Sequence, residues 1–258
     1  MYVACISYGK DSLAMLEAIK LLGLPLDRII TVDVWATPTI PADLPPMVAF
    51  KEKADRIIKE RYGIEVEHFR SEKSYEEYFY TVWEAGKRKG QIYGFPYTKG
   101  AWCNGRLKVN VIKKAVPKDA IQYVGIAIDE PERIRTSNIK KYPLAEIGWT
   151  EADCRKWCED NDLLSPIYET ASRGGCWFCH NQRFKELRRL RNNYPEYWKL
   201  LLKWDADSWD DFKIGRTVAD FEKRFALEDE GFIDTNKPFR WSMLSEPYKQ
   251  LDLWGGIV

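Results

Sequence analysis

The chain predicts an α/β fold: a parallel sheet with helices on both faces, followed by a mostly helical C-terminal extension. Two observations predict it. Short β-prone runs at 1–6, 28–34, 64–69 and 120–127 alternate with stretches of helical periodicity, the pattern of strands joined by crossover helices. From residue 183 onward helical spacing takes over. A division near residue 170 therefore gives two parts, 1–170 and 171–258.

The first strand is Met1-Tyr2-Val3-Ala4-Cys5-Ile6, which is short, apolar and β-prone. A helix begins at Leu13, runs through Leu22 and stops at Gly23, a residue suited to closing a helix. Between them lies Ser7-Tyr8-Gly9-Lys10-Asp11-Ser12, which suits phosphate. Gly9 admits a close backbone approach, and the amides of the turn and helix start point at the anion. Ser7 and Ser12 add hydroxyls, and Lys10 adds a mobile positive charge. The glycine-rich GxxxxGKS/T loop is absent.

Residues 28–34 form a second buried strand carrying Asp33 near its end, where open parallel sheets bind ligands. Asp33 there serves either a nucleotide or metal-bound water, or is an ordinary surface acid. Four prolines within 37–46 make an extended loop that covers the site. A helix over 46–62 ends at Gly63, and a third strand over 64–69 carries His68, read as structural or exposed. Residues 74–89 read as helix, 91–105 as an aromatic- and glycine-rich loop, and 107–116 as helix. The strand at 120–127 runs into Asp129, Glu130, Pro131, Glu132 and Arg133. Thr150 N-caps a helix with acids in its first turn. Cys154 and Cys158 share one face of that helix, as metal ligands or as small buried hydrophobes.

With 258 residues and 45% hydrophobic content, the chain can bury a substantial core. A formal charge of +1 excludes a global polyanion-binding surface, so any nucleic-acid contact must come from local patches. No secretory-type leader and no run of 18 apolar residues occurs, so a soluble, cytoplasmic protein without membrane contact is expected. In that reducing setting the six cysteines favour metal or cluster ligation over disulfides.

Gly174-Gly175-Cys176-Trp177-Phe178-Cys179-His180 is a CxxC knuckle, whose two-residue gap aims both thiolates at one centre. Such a knuckle suits zinc, an iron–sulfur cluster or dithiol chemistry. Cys103 lies beside Arg106 and Lys108 and makes a third candidate ligand.

The first hexapeptide resembles the SGGxDS pyrophosphate loop (PP-loop) of the adenine-nucleotide alpha-hydrolase superfamily, with Tyr8 in place of one glycine. Over residues 1–180 the chain further resembles the phosphoadenosine-phosphosulfate reductase family. Trp102-Cys103-Asn104-Gly105-Arg106-Leu107-Lys108 is similar to that family's Cys-Cys-x-x-Arg-Lys-like segment with its first cysteine lost. The stretch from Gly125 to Arg133 is similar to its Gly-x-Arg-x-x-Glu-Ser turn, with Ala127 for the arginine. Trp149-Thr150-Glu151-Ala152-Asp153 and the Gly-Cys-x-x-Cys knuckle are also shared. The family's reductases use a cysteine near the C-terminus, and none follows Cys179 here. The loop is also closer to the ATP-cleaving branch, which includes tRNA thiolases and a reductase-like protein of DNA phosphorothioation systems.

The resemblance implies a Rossmann-like, PP-loop nucleotide-binding domain over 1–170, with the knuckle and helical extension over 171–258. It implies an ATP pyrophosphatase that adenylates an acceptor for sulfur transfer. Lys10, Asp11 and Ser12 would be catalytic. Ser7, Tyr8, Gly9, Asp33, Arg106, Lys108, Gly125, Asp129 and Arg133 would complete the nucleotide site, with Mg²⁺ alongside ATP. Cys103, Cys176 and Cys179 would hold a 4Fe–4S cluster. Zinc is the alternative, with His180, Cys154 or Cys158 as fourth ligand. Partners would be an adenine nucleotide and, as open options, tRNA, DNA, a protein sulfur donor or a second copy of the chain. The rival readings are a silent nucleotide-binding accessory subunit and a sulfonucleotide reductase lacking its own C-terminal cysteine. In the extension, Arg183, Lys185, Arg188, Arg189 and Arg191 precede Tyr194, Tyr197, Trp198, Trp204 and Trp209. That interleaving suits nucleic acid, or equally a core-packing helix with a charged outer face.

Overall fold

A computed structural model of the chain describes residues 1–96, 101–169, 174–235 and 237–244. Five strands form one sheet: β1 (Tyr2–Ile6), β2 (Arg28–Asp33), β3 (Val66–Arg70), β4 (Ile121–Tyr123) and β5 (Lys140–Lys141). Their order is β3-β2-β1-β4-β5, and every pairing is parallel. The chain winds outward from β1 to β3, then resumes on the other side of β1 with β4. The winding direction therefore reverses between β1 and β4, and a cleft opens at their C-terminal ends.

Helices cover both faces, as the apolar strand runs require. On one face lie α1 (Lys10–Leu21), α2 (Pro45–Tyr62) and, after the short α6 (Pro143–Glu146), α7 (Glu151–Asp160). Leu13, Met15, Phe50, Ile58, Cys154 and Cys158 join there in one core. On the other face Val3 and Ile30 pack under Val116 and under Ile112 of α5 (Asn110–Ala115).

A second core is aromatic. It joins α8 (Phe184–Asn193), α9 (Pro195–Asp207) and α10 (Val218–Asp229) to Val34, Ala36, Ala42, Tyr75 and Phe79. Trp177 and Trp204 stack at its centre with centroids 5.6 Å apart. Residues on both sides of position 170 thus share one apolar interior. The cations and aromatics of the extension largely serve it. Arg188 pairs with Glu228, and Arg191 pairs with Glu222 and Asp229. Trp198 and Trp204 are buried, and their indoles donate to Glu222 and Glu76. Among the described residues no helix is long and apolar enough to cross a membrane.

Three elements depart from the sequence reading. The helix expected over 74–89 is only α3 (Tyr75–Phe79). Beyond it Trp83 and Gln91 bond through their backbones, Val82 bridges Ile92, and Gly86 and Gly90 turn the chain at positive φ. Residues 102–115, in contrast, are helical earlier than expected. α4 (Trp102–Asn104) runs through a π-turn (Gly105–Val109) into α5. β5 consists of two exposed lysines and carries no apolar signal to read.

Candidate functional site

The loop leaving β1 is shaped from inside. Ser12 Oγ accepts from the Ser7 N–H at 3.1 Å and donates to the Gly9 carbonyl at 2.9 Å. The Ser12 hydroxyl therefore braces the turn instead of facing an incoming anion. α1 has no side-chain cap, and its first-turn amides have no intrahelical carbonyl to bond. One of them is already used, since the Lys10 N–H donates to the Tyr168 hydroxyl at 3.1 Å. Lys10 is not mobile: its ammonium bridges Asp11 at 2.7 Å and Glu151 at 2.6 Å. Burial works against that charge, but the two carboxylates hold the Lys10 pKa above its ordinary value. Burial, aided by Glu151 and Glu130, raises Asp11 despite Lys10.

Tyr8 takes the left-handed conformation, φ 56°, that favours glycine. Its side chain turns inward and is fully buried. The hydroxyl donates to Asp55 Oδ1 at 2.6 Å, and Lys51 Nζ sits 5.2 Å from the ring centre. Asp55 and Asp33 flank the two nitrogens of His68 at 3.0 and 2.6 Å. Lys51 in turn pairs with Asp33 and Asp43. Asp33 is thus one member of a carboxylate–imidazole–ammonium network behind the loop. Burial opposes its charge, yet Lys51 and His68 hold its carboxyl below the usual range.

Gly125 and the segment after it come from β4, across the cleft. A Cβ on Gly125 would lie 2.7 Å from the Asp11 carbonyl oxygen and 2.9 Å from Ser12 Cα. The strand end and the helix start touch backbone to backbone, and only glycine permits it. Asp129 accepts from the Glu151 N–H at 3.0 Å and so caps α7. Arg133 pairs with Glu130. Asp11, Glu130 and Glu151 bring carboxylate oxygens within 4.8 Å of one another, an arrangement able to hold a divalent cation. Glu130 Oε2 is buried without a hydrogen-bond partner among the described residues. Of Arg106, Lys108 and Arg133, Arg133 is the one that joins Lys10 at this end of the sheet. Arg106 lies over the Tyr78 ring at 5.8 Å, and Lys108 lines a separate cavity.

That cavity, of about 550 Å³, is lined by Cys103, Cys176, Cys179, His180 and Lys108. The knuckle is built by its two middle residues. Cys179 N–H closes onto the Cys176 carbonyl at 3.0 Å. Trp177 is buried and bonds through its backbone and indole N–H to Ala42 and Pro41 of the proline-rich loop. Burial pushes the Cys176 thiol up to about 12, against the pull of Lys108, and raises Cys103. Cys154 and Cys158 belong to the first core instead, where Cys158 donates to the Lys10 carbonyl. They do not line the cavity, whereas His180 does.

The two regions share a wall. In the turn Pro166–Glu169, Tyr168 reaches the loop while Pro166, Ile167 and Glu169 face the cavity. Sequence reasoning gave no site role to Tyr168, Lys51, Asp43 or Asp55, and read Glu151 only as part of a helix start. It also passed over Lys213, whose ammonium donates to the His180 and Gln182 carbonyls and fastens the knuckle from behind. Tyr75 was missed as well; it lines the cavity, and its hydroxyl has no hydrogen-bond partner among the described residues. No protein-family model matches the chain, and no characterised protein or solved structure matches it either.

Proposed function

We propose that the chain is a PP-loop ATP pyrophosphatase, related to the phosphoadenosine-phosphosulfate reductases, that adenylates an acceptor for sulfur transfer. One observation carries this reading. An uncapped helix N-terminus, with Lys10, Arg133 and three carboxylates beside it, lies where the strand order reverses, and its wall is shared with a three-cysteine cavity.

In this reading an acceptor oxygen attacks the α-phosphorus of ATP, and pyrophosphate leaves. The protein's contribution is position and charge. The Asp11 and Ser12 amides face the phosphates, within a turn fixed by Ser7, Ser12 and Tyr8. Lys10 and Arg133 offset the charge of the departing pyrophosphate. Gly125 lets the β4 end close against the loop. Asp11, Glu130 and Glu151 suit Mg²⁺, which would neutralise phosphate charge, and the orphaned Glu130 oxygen fits that use. Cys103, Cys176 and Cys179 suit a 4Fe–4S cluster, which would supply the sulfur-transfer chemistry. Zinc is the alternative occupant, with His180, which also lines the cavity, as fourth ligand.

The test is pyrophosphate and AMP release from ATP and Mg²⁺. Wild type is expected to turn over, Lys10→Ala to lose charge stabilisation, and Ser12→Ala to lose the shape of the turn. A second reading, a nucleotide-binding accessory subunit, is favoured by the pairing of both Lys10 and Arg133 with carboxylates. Tight ATP binding without release under any acceptor would establish it instead.

A further inference from the structure

We propose that Tyr75 is the hydrogen-bond donor to the sulfur of the group that Cys103, Cys176 and Cys179 hold. This rests on the cysteine cavity being a metal–sulfur site, as in the proposed function.

Tyr75 is 1% exposed, yet its hydroxyl has no partner among the described residues, not even a cysteine sulfur. A buried hydroxyl left unpaired costs stability, and phenylalanine would fill the same space without that cost. The ring cannot swing the hydroxyl out to water. Phe178, Trp102 and Trp204 hold it with centroids 4.2, 5.1 and 5.1 Å away. The backbone is fixed too: Ser74 and Glu77 form a capping box around the start of α3, and the Tyr75 N–H bonds to the Trp35 carbonyl at 2.8 Å. Tyr75 lines the cavity together with all three cysteines. A preset donor lining the same cavity as three thiols, with none in bonding range, matches an acceptor seated within that cavity. Sulfide or metal-bound thiolate sulfur is an acceptor of that kind.

Donation to such sulfur stabilises its more negative, reduced state, so loss of the donor lowers the reduction potential. The experiment loads wild type and Tyr75→Phe anaerobically with iron and sulfide, or with zinc where iron does not load. It reads metal retention against a chelator, the potential of any cluster, and Tm of the metal-free proteins. Tyr75→Phe is expected to load but to release metal about tenfold more readily, the usual effect of removing an outer-shell partner. Its cluster potential falls, while its metal-free Tm is unchanged or higher. Equal retention and equal potential would overturn the role of Tyr75 and leave the cysteine site standing. A lower metal-free Tm would show that the hydroxyl has a partner within the protein, and would also overturn it. If wild type loads neither iron–sulfide nor zinc, the proposal and the cysteine site fall together.

Discussion

Gly125→Ala is the sharpest test of how the cleft is built. The added Cβ would stand 2.7 Å from the Asp11 carbonyl oxygen and 2.9 Å from both the Asp11 carbonyl carbon and Ser12 Cα. All three are backbone atoms, so no rotamer change relieves the contact. Ordinary contact begins at 3.4 Å, so the two backbones must part by about 0.7 Å. Neither side yields easily. β4 is held in the ladder by β1 and β5, and the helix start is braced by Ser12 and by Tyr168. Overpacking of this kind costs about 2 kcal/mol, a Tm fall of roughly 4–8 °C for a chain of this size. Displacing the first-turn amides by most of an ångström should weaken phosphate binding by about tenfold to a hundredfold. Calorimetric melting and ATP titration read the two effects. Gly105→Ala is the control, because a Cβ there meets nothing within 4 Å, and its Tm should hold or rise slightly. If Gly125→Ala matched wild type in both Tm and ATP affinity, the backbone contact would not shape the site.

Tyr8→Gly sets two terms against each other. It relieves about 1 kcal/mol of left-handed strain but empties a fully buried aromatic site, at a cost of about 3–5 kcal/mol. Net destabilisation by chemical denaturation is the expected result, and a gain in stability would refute this account of the loop. Asp33 has a folded pKa below its ordinary 3.8, so the stability it contributes is present above that value and disappears as pH falls through the lower one. The Tm of Asp33→Asn should therefore lie below wild type at pH 7, and the two should converge in acid below pH 3.8. With its thiol pushed to about 12, Cys176 in metal-free protein carries roughly one thiolate in ten thousand at pH 8. Iodoacetamide labelling of that half-buried cysteine should be slow and rise about tenfold per pH unit; rapid labelling at pH 7 would contradict its raised pKa.

The first strand, its loop and α1 were legible because apolar run, polar hexapeptide and helical spacing follow one another without overlap. Thr150 with Asp153 announced α7, and the structure forms that capping box. Other features depended on distant partners. The direction of the Tyr8 side chain is set by Asp55 and Lys51, from a helix some forty residues on. The early end of α3 follows from the pairing of Trp83 with Gln91, a contact no local periodicity records. Gly125 stood in a recognisable segment, but the reason for glycine is the closeness of Asp11, more than a hundred residues away. Tyr75 carries no motif; what sets it apart is a hydroxyl with no hydrogen-bond partner among the described residues.

The internal stapling of the β1 loop has an entropic consequence. Ser7, Gly9 and Ser12 bond among themselves, and Tyr8 is anchored to Asp55, so the turn is ordered when the domain folds and not anew at each encounter. If an anion binds there as proposed, little chain freedom in the turn remains to be lost, which favours affinity. Loosening the anchor at Asp55 would transfer that ordering cost to every binding event.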